Sequence, residues 1–139
     1  MDVLVGQQPS PPTPPPPHAP ADFTTARNLL TTLADTLHNA GAAAEQRLLR
    51  QCVLDAETRH LGSDHRDTLA GRNNLATALN NLGRHQEAAD LHQRTFADLE
   101  RILGPDHPDT VASRGNLAAA RAALARTQRR RLPWQRSRP

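Results

Sequence analysis

Residues 59–82 and 101–124 are one segment written twice, 42 positions apart. The copies, RHLGSDHRDTLAGRNNLATALNNL and RILGPDHPDTVASRGNLAAARAAL, agree at 14 of 24 positions. A fixed period of this length is the mark of a stacked repeat array, in which a unit buries its apolar face only against its neighbours. Such arrays offer extended surfaces, so a binding face is expected ahead of a catalytic pocket.

The period reaches backward as well. Residues 22–61 align with 64–103 at 11 of 40 positions, including Leu33, Ala34, Leu37, Gly41, Glu45, Leu49, Arg59 and Leu61, which makes a drifted first repeat. The third repeat leaves the pattern after Leu124. Between the glycines and the DH(R/P)DT segments, apolar residues recur at helical spacing. Leu69, Arg72, Leu75, Leu79 and Leu82 form one stripe with Ala76 and Ala78 beside it; Ala88, Leu91, Thr95, Leu99, Ile102 and Leu103 form another. Gly83 and Gly104-Pro105 break the pattern, and Pro108 suits a first helical position. The expected fold is all-α, a short solenoid of about 2.5 helix-turn-helix repeats with five helices near 22–40, 42–61, 66–82, 84–103 and 108–128. The repeats fall near 22–61, 64–103 and 106–128 within a domain spanning 21–128.

Composition bounds the rest. Residues 1–20 hold eight of the twelve prolines, a segment expected to stay out of any packed core as a disordered Pro-rich head. From Arg121 onward there are seven arginines and no acid, whereas the remainder sets ten arginines against fourteen acids. A mildly acidic body thus carries a basic tail, residues 129–139. No apolar run approaches the ~18 residues of a membrane span. The acid in MDVLVG does not suit a secretory leader, so a cytoplasmic protein is expected. The single cysteine, Cys52, excludes an internal disulfide and is expected as a small core residue of a second helix.

Leu75-Ala76 in a first helix, Gly83 at the turn and Ala88 in a second helix fit the tetratricopeptide pattern. The string NNLATALNNLGRHQEAADLHQRTFADLERILGPDHPDT resembles the tetratricopeptide repeats of kinesin light chain and of many bacterial proteins. The resemblance covers about residues 60–124 well and 22–60 weakly. Three positions depart from it: Arg72 and His92 stand where an aromatic is common, and Thr95 stands for alanine. With Phe23, Phe96 and Trp134 as the only aromatics, the core must be largely Leu and Ala and each interface modest. Marginal stability, or support from a partner or from self-association through the unpaired last helix, is expected.

The resemblance implies a concave wall built from the first helix of each repeat, gripping an extended peptide. Carried over by position, the groove residues are Asn73, Asn74, Thr77, Asn80 and Asn81, then Arg114 and Asn116, with Thr31, Asp35, His38 and Asn39 from the first repeat. An asparagine amide both donates and accepts, so it can pair with any peptide backbone. The groove role is favoured for Asn73, Thr77 and Asn80. Asn74 and Asn116, beside the buried leucine, are at least as well placed to tie helices together. Arg72 and Arg114 are repeat equivalents; they suit an acidic ligand, but pairing with a second-helix acid of a neighbouring unit is preferred. Gly115 and Ala119 replace Asn73 and Thr77, so the wall becomes blander towards the C-terminus.

Chemistry beyond binding finds no footing in the sequence. There is no phosphate-binding glycine loop, HExxH, nucleophile elbow or CxxC. His65 and His107 are repeat architecture. His85 and His92 lie seven apart on one helix, and no Cys/His/carboxylate cluster completes a tetrahedral metal site. Neither an enzyme nor a cofactor or metal is expected. Glu45 and Glu87 suit helix starts. The tail residues Arg129, Arg130, Arg131, Arg136 and Arg138 offer an anionic partner a docking point. A protein or peptide partner is therefore the leading expectation. Nucleic acid bound by the tail is the alternative, and a piece of a longer array without its own function is a third.

Overall fold

The computed structural model describes residues 21–131; the Pro-rich head and residues 132–139 of the basic tail lie outside the described residues. Five helices follow in order: α1 (Ala21–Asn39), α2 (Ala43–Leu61), α3 (Arg66–Asn81), α4 (His85–Leu103) and α5 (Pro108–Arg131). Consecutive helices pack on one another, and α3 also packs directly on α5. The expected all-α solenoid is what forms, with helix ends within a few residues of those read from the sequence. The last helix runs further, so Arg129, Arg130 and Arg131 are helical.

Four glycines set the turns, and they repeat with the period. Gly41 and Gly83 close the hairpins at φ 75° and 76°, and Gly62 and Gly104 make the linkers at φ 90° and 89°. At the hairpin, Arg84 N–H reaches back to Leu79 O (3.0 Å) and Gly83 N–H to Asn80 O (3.0 Å). Ala42 and Gly41 do the same to Leu37 O (2.9 Å) and His38 O (3.1 Å). These backbone bonds satisfy the last carbonyls of α1 and α3, and they require a residue that tolerates the left-handed region.

The DH(R/P)DT segment starts the first helices. His65 is the N-cap of α3, its Nδ1 accepting from the Asp67 N–H at 3.2 Å. His107 does the same for Asp109 N–H, also at 3.2 Å. The ring takes the place that Ser, Thr, Asp or Asn fills in most caps. Asp67 and Asp109 then lie in the positive first turn. The threonine of the motif goes inward: Thr68 is fully buried and donates to Gly62 O at 2.8 Å.

The core is narrow. Its buried apolar members are leucines, alanines and Val53, centred on Leu54, Leu75, Leu79 and Ala88 with Leu91 against them. Apart from Leu69, the largest fully buried side chains carry hydroxyls: Thr68, Thr95, Thr110 and Ser113. Two expectations need correction. Ile102, assigned to the apolar stripe of α4, is 37% exposed. Cys52 is exposed and not a core residue, because it lies on the outer face of α2 at the register that Arg94 takes in α4.

Because the cap acceptor at His107 is a ring nitrogen, replacing it by alanine should cost about 1 kcal/mol. His107→Asn, which keeps an acceptor, should recover most of that loss. Urea unfolding followed by circular dichroism measures both.

Candidate functional site: the wall formed by the first helices

The packing of α3 on α5, with no comparable contact between α2 and α4, puts these two first helices on the closer-spaced side of the stack, and α1 is tied to α3 there by side chains. Exposed residues on α3 recur at 70, 74, 77 and 81, a stripe along that wall. The matching stripe on α5 is Ala112, Asn116 and Ala119; on α1 it is Asn28, Thr32, Asp35 and Asn39. Two hollows open between these helices, and Asn74 lines both. The larger, about 400 Å³ and lined by Arg66, Asp67, Asn73, Asp109 and Ala112 among others, lies between α3 and α5.

The two kinds of asparagine trade places relative to expectation. Asn73 is half-buried, and its Oδ1 accepts from His92 Nδ1 (3.1 Å) and Ser113 Oγ (3.4 Å). It ties α3 to both α4 and α5. Asn80 Oδ1 accepts from His85 Nδ1 at 2.6 Å across the same hairpin. The seven-residue spacing of His85 and His92 thus answers the seven-residue spacing of Asn73 and Asn80 on the antiparallel neighbour. His92 is 2% exposed, and burial lowers its pKa, so the ring is held neutral as a donor to Asn73.

Asn74 and Asn116, by contrast, are exposed and make no hydrogen bond among the described residues. Thr77 is exposed, its hydroxyl donating to Asn73 O one turn back (3.0 Å). Asn81 Nδ2 donates to His38 Nδ1 at 3.4 Å, bridging α3 and α1 on the wall. Asp35 accepts from Arg50 of α2, and Thr31 lines the smaller hollow. Arg114 is exposed and unpaired among the described residues. Its equivalent Arg72 donates to Asp98 Oδ2 (2.7 Å), correcting the expected partner: the second-helix acid belongs to the same repeat and not to a neighbouring unit.

Charge along the wall is mixed and mostly matched. Arg27 of α1 pairs with Asp67 of α3, and Arg66 of α3 pairs with Asp109 of α5 at 2.9 Å. Each first-turn aspartate is thereby tied to the preceding first helix. Glu87, at the start of α4, takes two 2.6 Å bonds from Arg84, which hold its carboxyl below the usual range. Among the described residues no group of three His, Cys, Asp or Glu side chains converges on a metal-sized site. None of their helices is long and apolar enough to cross a membrane.

Sequence reasoning missed Glu57. This α2 side chain is 5% exposed, and burial pushes its carboxyl up from 4.5 to about 7, with Arg27 and Arg50 pulling the other way. The signal was in the repeat itself: the 42-residue register sets Glu57 against Leu99, an acid in an apolar position.

Residues 68–109 match the tetratricopeptide repeat family model. A crystal structure described as putative kinesin light chain nearly identical TPR-like repeats, from Podosopora anserina, is similar at TM-score 0.68 and 29% identity. A form of the same protein with one glutamine replaced by methionine gives the same values. Both matches cover 75% of this chain and 49% of the other, so the chain spans about half the length of the structures it matches. No curated protein matches it. Residues 68–109 thus match one tetratricopeptide repeat, and the helices of the chain are similar to the repeats of that kinesin light chain.

Glu57 generates a test with a definite sign. Its folded pKa lies above its unfolded value, so the folded state holds the extra proton between pH 4.5 and about 7. That contribution is complete below 4.5 and is lost as pH rises through about 7. His92 acts in the opposite sense, costing stability as pH falls below 6.5. Glu57→Gln should therefore raise stability above neutrality by about 1–3 kcal/mol, the cost of ionising an acid whose pKa burial has raised. It should also leave only the His92-type fall on acidification. Denaturant midpoints across the pH range read both effects.

Proposed function

We propose that the wall formed by α1, α3 and α5 holds an extended segment of a protein partner, and that the chain is a non-catalytic interaction module. Tetratricopeptide repeats generally mediate protein–protein interaction, and the repeats here are of that family. The observation that carries the reading is the state of Asn74 and Asn116. Both stand exposed on the wall with their amides unused among the described residues, while Asn73, Asn80 and most charged groups nearby are already paired. An unused amide can meet a peptide N–H and a peptide C=O at once, which suits a backbone grip of broad specificity. Thr77, Asn81 and His38 extend the same strip.

The contrast between the exposed Asn74 and Asn81 of the wall and the half-buried Asn73 gives the test. Asn74→Ala with Asn81→Ala should leave the unfolding midpoint within the range of a surface change. In a pull-down with the full chain as bait, it should weaken retention of the recovered partner by about tenfold, ~1.4 kcal/mol. Asn73→Ala should instead lower stability by about 1–3 kcal/mol, because it strands the buried His92 donor. Partner retention unchanged in the Asn74/Asn81 double variant would overturn the groove assignment.

A second reading rests on the end of α5. Arg126, Arg129, Arg130 and Arg131 are exposed and unpaired among the described residues, a cationic helix end suited to phosphates. Removal of residues 129–139 spares Leu124 and Thr127, which face the start of α4. If nucleic acid is the partner, a fluorescent single-stranded oligonucleotide should bind the full chain with log K falling by about 0.7 per phosphate contacted for each decade of salt. The shortened chain should bind it no better than background.

A further inference from the structure

Among the described residues, four buried polar atoms find no hydrogen-bond partner: Gln46 Oε1, Arg50 Nε, Glu57 Oε2 and Thr110 Oγ1. Three have an answer close by. Gln46 and Arg50 sit one turn apart on α2, an acceptor and a donor within each other's reach. Thr110 repeats Thr68, whose hydroxyl takes Gly62 O, and Gly104 O stands at the matching place in the next linker. Glu57 has no such neighbour. Opposite it is Gly71, where a Cβ would stand 2.3 Å from Glu57 Oε2. The bare glycine makes room for the carboxyl itself, and Oε2 packs into that place, shut off from solvent.

The same side chain borders the smaller hollow, about 150 Å³, between α1, α2 and α3, lined by Arg27, Thr31, Arg50, Glu57, Asp67 and Asn74 among others. Its charges count out unevenly. Arg27 is matched by Asp67 and Arg50 by Asp35, so Glu57 is the charge left over. One further cation completes the set. At ~30 Å³ per water the hollow takes about five water-sized groups, the size of the four carbons and nitrogen at the end of a lysine. An ammonium brings three donors and no acceptor. The Glu57 carboxyl, the Thr31 hydroxyl and the Asn74 amide oxygen are three acceptor groups lining the hollow with no partner among the described residues. A guanidinium is wider and would crowd against Arg27 and Arg50.

We propose that this hollow receives one primary ammonium group, the end of a lysine side chain on the bound partner segment, with Glu57 as its counter-ion and Thr31 and Asn74 as its other acceptors. The identity of the donor rests on the groove reading; the pairing itself does not. A cation here also accounts for retaining an acid that burial alone pushes towards its neutral form.

The probe is n-butylammonium, added to the full chain labelled with carbon-13 and nitrogen-15, with 1-butanol and sodium chloride as controls. Saturable shifts are expected at the Glu57 carboxyl carbon and the Gly71 amide. The Glu57 titration midpoint should fall by about one unit or more, as an opposite charge within contact range requires. Neither control should do this, and the Glu57→Gln chain should lose the saturable response. Shifts that butanol reproduces, that survive Glu57→Gln, or that never saturate overturn the site. So does a long-lived water cross-relaxing with the Gly71 amide and undisturbed by butylammonium. Because the probe needs no protein partner, its failure leaves the groove reading standing, and failure of the Asn74/Asn81 test leaves the ammonium site standing.

Discussion

No helix of this chain can bury its apolar stripe alone, and each stripe is too narrow to hold its neighbour by area. The buried apolar set is leucine and alanine with Val53, and no described aromatic is fully buried. Alanine lets helix axes approach but removes little apolar surface from water. Polar groups caught in those close contacts must therefore be matched, since an orphaned donor or acceptor costs more than a matched pair gains. This is the constraint behind Asn73 with His92, Asn80 with His85 and Arg72 with Asp98. The two Asn–His pairs fix the register of α4 on α3, because a slip of one residue would unmake both. Leucine and alanine side chains alone would tolerate that slip far better.

The same requirement explains which parts of the fold were legible in the sequence. Glycine breaks, the histidine cap and the apolar period are local devices; they repeat every 42 residues and announce the helices directly. Partner choice across a hairpin is not local. Asn73 and Asn74 are adjacent and chemically identical, yet one turn angle of about 100° separates a side chain tied to His92 from one facing the wall. Propensity could not tell them apart. Only the equal spacing of the two asparagines and the two histidines carried the information, and reading it needed the pairing between antiparallel helices. Cys52 failed differently: a small residue on a helix suits either face, and its register against exposed Arg94 was the better guide.

Repeat proteins offer a control that single-copy folds lack, because each position is compared with its own equivalent. Where two copies differ and the packing explains the difference, scaffold suffices. Leu79 and Arg121 are such a pair: in α3 the leucine lies under α4, whereas in α5 the arginine reaches Gln93 from an exposed face. Glu57 and Leu99 are not. Both are buried, both sit on a second helix facing the next first helix, and leucine satisfies that environment at no electrostatic cost. Gly71 opposite Glu57 becomes Ser113 in the next copy, so the change is accommodated on both sides of the interface. A stack selected for stability alone has no use for an ionisable group in that place. An acid there, at the edge of a hollow, marks the point where the wall departs from scaffold.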